Sequence, residues 1–131
     1  VLKQQDGAIA KLKATTDDVT RIQLQKVNAR WMREFIAYDP KAALAAAAVP
    51  ILAITGSKDV QVDPADLSVI AESAPNAQTL ELPDLDHILR REPADTSNPR
   101  HYGRQSKQPI DPRVTQAILD WLTERLDTVE A

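Results

Sequence analysis

The run Ile51-Leu52-Ala53-Ile54 is apolar at every position and stops just short of Gly56. That is the pattern of a strand buried on both faces, followed by a residue that lets the backbone turn sharply. A second short strand is expected over residues 78–82, running directly into Pro83-Asp84-Leu85-Asp86-His87. Between the two, Asp63-Pro64 has the form of a helix start, and Leu67, Ile70, Ala71 and Ala74 supply an apolar stripe that closes at Pro75-Asn76. The order is strand, helix, strand. A right-handed crossover then makes the strands parallel, and a connection this short makes them neighbours.

The flanks read mainly as helix. Residues 1–14 are a modest helical segment with Leu2, Ile9 and Leu12 apolar and Gly7 weakening it. Thr15-Thr16-Asp17-Asp18 supplies capping side chains and acids suited to a first turn. Beyond it Leu24, Val27, Trp31, Phe35 and Tyr38 recur at helical spacing, which predicts a helix of about five turns with one apolar face. Asp39-Pro40 starts another helix, carried by the alanines of 42–48 and ended by Val49-Pro50. Residues 90–108 are rich in Pro, Ser, Asn, Arg and Gln without apolar period, the signature of a long loop. Asp111-Pro112 then caps a last helix whose stripe is Val114, Ile118, Trp121, Leu122 and Leu126. Residues 1–48 therefore form a helical segment, a core-packing piece or a lid, and residues 49–131 an α/β portion.

Composition narrows the classes. The 131 residues carry a net charge of -3 with both signs mixed, and no basic block that would neutralise a run of phosphates, which excludes nucleic acid as the expected partner. The absence of cysteine removes disulfides, thiolate metal sites and cysteine nucleophiles, while leaving the compartment open. The longest nearly apolar stretch, residues 42–54, is broken by Pro50 and is too short to span a bilayer.

The polar residues after the strands carry the chemistry. Asp59 lies just beyond the carboxyl end of the first strand and His87 just beyond that of the second, the sheet edge where functional groups collect in parallel α/β folds. A carboxylate orienting an imidazole is two thirds of a Ser-His-Asp relay. Read alone, Asp59 is first a turn carboxylate, since acids are common in turns, and His87 can be a loop histidine without chemistry. Asp84, Asp86 and His87 make a poor metal set, being local ligands without a distant partner. His101, in the polar loop, is expected to be solvated.

Taken as an ordered series, Tyr38-Asp39-Pro40, Val49-Pro50-Ile51-Leu52-Ala53-Ile54, Gly56-Ser57-Lys58-Asp59-Val60-Gln61-Val62, Leu82-Pro83-Asp84-Leu85-Asp86-His87, Ile110-Asp111-Pro112 and Trp121-Leu122 resemble the C-terminal portion of an α/β-hydrolase, of the bacterial serine-aminopeptidase-like and acyl-hydrolase branch. The resemblance spans about residues 31–122. It implies a partial α/β-hydrolase fold, two neighbouring parallel strands with covering helices and a cap-like N-terminal helical segment, in a parent that hydrolyses small ester or peptide substrates by acyl transfer. Asp59 would be the acid and His87 the base; no cofactor or metal is required. The family usually has glycine where Asp84 stands, and often a small polar residue at Asp86, a position suited to orienting the turn.

One part of the family pattern is missing. The nucleophile of such enzymes sits on a Gly-x-Ser-x-Gly elbow upstream of acid and base. Here the glycines are Gly7, Gly56 and Gly103, and none brackets Ser57, Ser68, Ser73, Ser97 or Ser106 in that way. The chain, which opens at Val1 without an initiator methionine and has roughly half the length of a complete fold of this type, is read as a segment of a longer polypeptide, inactive alone. An upstream aspartate in place of serine would make the parent dehalogenase-like or epoxide-hydrolase-like. The expected partner is the N-terminal half of the parent, or a second copy bound through an exposed sheet edge. The alternative is a hydrolase-like module without catalysis, kept for binding or structure.

Overall fold

The computed structural model describes residues 2–22 and 24–127. The chain divides into two compact units, Val1–Pro40 and Lys41–Ala131.

In the first unit, α1 (Leu2–Ala14) is followed by an antiparallel hairpin, β1 (Val19–Ile22) with β2 (Gln25–Asn28), and by α2 (Ala29–Ala37). The expected five-turn helix is thus a hairpin plus a shorter helix. Val19, Thr20, Ile22 and Val27 are β-branched, stiff in a helix and suited to a pleated surface. Thr20 pairs with Val27 on the half-buried face, with Ile22 beside them. Leu24, counted above in a helical stripe, sits in the turn at φ 69° and is 96% exposed. Helix begins only where the Asn28 carboxamide accepts the Trp31 amide proton, at 2.9 Å. The inward face of α2 is buried Ala29 with half-buried Met32 and Ile36, so Trp31, Phe35 and Tyr38 are exposed, the first two with rings stacked 5.4 Å apart. The N-terminal segment is therefore mixed, not purely helical. Its threonine and aspartate cluster serves the hairpin: the Asp18 carbonyl accepts the amides of Ala29 and Arg30, closing β2 onto the start of β1.

The second unit contains α3 (Pro40–Ala46, its first residue at the junction), β3 (Ile51–Gly56), α4 (Asp66–Ser73), β4 (Ala77–Leu82), a 3-10 turn η1 (Pro99–His101), α5 (Tyr102–Gln105) and α6 (Pro112–Asp127). It is a mixed α/β unit with β3 and β4 parallel, in register from Ile51 opposite Ala77 to Gly56 opposite Leu82. Of the three expected Asp-Pro starts, two show the aspartate bonding an amide, although α4 itself begins only at Asp66, with Ala65 at its N-cap and no side-chain cap. The Asp63 carboxylate accepts the Ala65 amide one turn ahead of α4, and the Asp111 carboxylate accepts the Arg113 amide at the head of α6. Leu82, Leu85 and Val114 form the buried core, with Ile54, Leu80 and Leu89 packed against it. Of the α6 stripe only Val114 is buried; Ile118 and Leu122 are partly open beside a cavity of about 350 Å3 that they line with Leu52, Ile54, Leu89 and Trp121.

Residues 90–108 are not a featureless loop. The Glu92 carboxylate, 4% exposed, accepts a hydrogen bond from Gln105 Nε2 at 2.9 Å and another from the Ala94 amide at 3.0 Å, so both ends of the excursion are tied to one buried group. The Ala94 amide, set first against the opposing effect of burial, and then Gln105 hold the Glu92 carboxyl below its ordinary range. Among the described residues no helix is long and apolar enough to cross a membrane.

Candidate functional site

The site is built where β3 and β4 end. At Gly56 the chain leaves β3 so close to the next loop that a Cβ there would lie 2.2 Å from the Leu85 carbonyl oxygen; only glycine fits this approach. The two loops are then sewn together. Ser57 and Lys58 donate their amides to the carbonyls of Leu82 and Leu85, the Ser57 hydroxyl accepts the Asp84 amide at 3.0 Å, and Lys58 Nζ reaches the Asp84 carboxylate at 2.8 Å and the Glu92 carbonyl at 2.9 Å. The Lys58 ammonium accounts for the lowered Asp84 carboxyl. Asp84 itself takes φ 65°, a left-handed conformation that glycine adopts without cost and aspartate tolerates.

This stitching brings Asp59 and His87 together. Asp59 Oδ1 accepts the amides of Gln61 and Val62 at 2.8 and 2.9 Å, which aims Oδ2 at His87 Nδ1, 2.9 Å away. The Asp59 side chain is 5% exposed and that of His87 36%, an enclosed acid beneath an accessible ring. Burial pushes the Asp59 carboxyl up, but the Val62 amide, the His87 ring and the Gln61 amide outweigh it and hold it below the usual carboxylate range. Asp59 therefore accepts at Oδ2, which assigns the proton to Nδ1 and leaves Nε2 the acceptor nitrogen of the neutral ring. No described residue hydrogen-bonds Nε2. Asp59 and His87 both line a cavity of about 270 Å3 whose remaining wall is apolar at Ile54, Leu67, Ile70 and Leu89 and carries the carboxylates of Asp63 and Asp66.

The His87 loop is held in a strained form. Leu89 takes φ 59°, an outlier for a bulky side chain that costs ~1–3 kcal/mol and persists only where the surroundings fix it. Here its carbonyl accepts the Asp111 amide and its side chain packs against the core. The Tyr102 ring lies 6.5 Å from that of His87, tilted 19°, with its hydroxyl 3.2 Å from Ser97 Oγ. His101 is exposed, and among the described residues its ring makes no hydrogen bond with a carboxylate. The serines are engaged elsewhere or solvated, and none hydrogen-bonds His87. Among the described residues no group of side chains is arranged to hold a metal ion.

Sequence patterning pointed to Asp59 and His87 through their strand-end positions. It did not reveal the Ser57–Asp84–Lys58 stitch or the Glu92–Gln105 lock, because polar residues in polar loops carry no period. Compared with known proteins, the chain matches no family model, no curated protein and no solved structure.

Proposed function

We propose that this chain contributes the acid and base of a serine-type α/β-hydrolase whose nucleophile lies upstream. The observation that carries the reading is the 2.9 Å bond from His87 Nδ1 to an enclosed Asp59 carboxylate, at the carboxyl ends of adjacent parallel strands. In that role Asp59 fixes the tautomer, so that Nε2 takes the proton of an attacking serine hydroxyl and afterwards delivers it to the leaving alcohol or amine. Asp59 stays ionised throughout and stabilises the imidazolium. The substrate class is a small ester or peptide, and the apolar part of the cavity at His87, at Ile54, Leu67, Ile70 and Leu89, suits an acyl or leaving group of the same character.

The parent's N-terminal half, or a second copy, is the partner this reading calls for. Among the described residues β3 is hydrogen-bonded on one side only, and apolar cavities flank it on the α4 and α6 sides. The test is fluorophosphonate labelling at neutral pH of the chain and everything that co-purifies with it, read by intact mass. The expected label is on a longer polypeptide and not on this chain, and it disappears in His87→Ala. A labelled chain, or a label indifferent to His87, would refute the assignment. So would a complete absence of label, as to the serine nucleophile. Gel filtration of the same preparation should show a species larger than a monomer; a monomer at high concentration with nothing co-purifying would sink the partner proposal.

A further inference from the structure

Of the buried polar side chains among the described residues, Asp86 is the most enclosed, at 0% exposure, and it is the immediate neighbour of His87. A carboxylate so placed is unfavourable unless hydrogen bonds compensate its lost hydration. Its partners all belong to its own loop. Oδ1 accepts the Ile88 amide at 3.0 Å and the Arg90 amide at 2.9 Å; the Asp86 amide donates to the Arg90 carbonyl and the Leu89 amide to the Asp86 carbonyl, both at 3.0 Å. Residues 86–90 thus close into a small ring of hydrogen bonds with this carboxylate inside it. His87 is the second residue of that ring. Asp86 Oδ2 is buried and has no donor.

We propose that Asp86 is a positioning residue: its side-chain oxygen, through Ile88 and Arg90, holds the loop in the one conformation that keeps His87 Nδ1 on Asp59. Without it the two amides lose their acceptor inside the protein, and the left-handed Leu89 loses the bonded neighbours on either side of it, one of its restraints, while the Asp111 amide and the core contact remain. The loop relaxes, and the imidazole leaves the carboxylate. The function of Asp86 as a brace for a general base rests on the hydrolase reading; the geometric effect on His87 does not.

The role asks for an acceptor at Oδ1 and makes no use of Oδ2. Asp86→Asn retains the acceptor and puts an amide where the second oxygen has no donor, so it should preserve the arrangement. Asp86→Leu fills the same space without an acceptor and should destroy it. The chain has only His87 and His101, so imidazole NMR in the chain itself separates the two rings cleanly. The expected results are a hydrogen-bonded Nδ1–H resonance for His87 in the unaltered chain and in Asp86→Asn, and its loss in Asp86→Leu, with His101 unmoved in all three.

Should Asp86→Leu fail to fold, amide exchange in the unaltered chain decides. Ile88 and Arg90 should be protected to the level of the β3 and β4 amides, and rapid exchange at these two would overturn the proposal. So would Asp86→Leu with the His87 resonance intact, or Asp86→Asn with it lost. An unaltered chain in which Nδ1–H is not hydrogen-bonded at all would instead dismiss the Asp59–His87 pair, and with it the hydrolase reading.

Discussion

Replacing Gly56 by alanine adds one carbon where there is no room for it. That Cβ would lie 2.2 Å from the Leu85 carbonyl oxygen, 2.5 Å from its carbon and 2.8 Å from the Leu85 Cβ, against ordinary contacts of about 3.5–4 Å. These are mostly backbone atoms, so no side-chain rotation relieves the clash. Leu85 must move, yet it is fully buried, and its carbonyl accepts the Lys58 amide. Overpacking of this kind costs ~1–3 kcal/mol, and loss of the Lys58 bond adds ~1. The lower entropy of alanine in the unfolded chain returns ~0.5. The expected net loss is about 1.5–3.5 kcal/mol, a large share of the stability of a unit this size. Urea unfolding followed by far-UV circular dichroism measures it, and the midpoint should fall by about 1 M or more. A loss below ~1 kcal/mol with the His87–Asp59 bond intact would refute the view that this close approach sets the site.

Leu24→Gly should stabilise the first unit by ~0.5–1 kcal/mol, since a 96% exposed leucine at φ 69° loses no packing and sheds backbone strain; in a helix the same change would cost about 1 kcal/mol, so the sign, read by amide exchange in β1 and β2, is decisive. Asp111, tied to the Arg113 side chain and amide, has its carboxyl lowered to about 2, below its unfolded value of about 3.9. The unfolded state then binds more protons across that window, so this contribution is present above pH ~4 and is lost as pH falls toward 2. It amounts to at most ~2 kcal/mol, and Asp111→Asn should flatten that part of the stability profile in acid-dependent urea melts; an unchanged slope would show the pair to be screened.

What was legible in the chain followed how each residue type reports its surroundings. The apolar run at 51–54 and its stop at Gly56 located β3 because a strand without a polar face is apolar at every position, although these four residues are only half-buried in this chain. The Asp-Pro pairs located helix starts because proline fixes its own dihedral angle and aspartate bonds the free amides. The hairpin at 19–28 was missed for a related reason: Leu24 and Val27 fall at helical spacing from Trp31 and Phe35, while the β-branching at Val19, Thr20, Ile22 and Val27 argued for strand. The pairing of Asp59 with His87 was suggested by their order along the chain and by resemblance. Its geometry depends on Gly56, Ser57 and Lys58 meeting Leu82, Asp84 and Leu85, contacts that no spacing reports.

Those contacts also determine what can be exchanged between proteins. Because Ser57 and Lys58 are bonded to Leu82, Asp84, Leu85 and Glu92, Asp59 and His87 are not carried by two separable loops. A graft of residues 82–92 alone would arrive without its anchoring serine and lysine, and a graft of 56–62 alone would present Asp59 to no imidazole. The smallest transplantable piece is both loops with the paired ends of β3 and β4, and a recipient scaffold has to supply two parallel strands in this register.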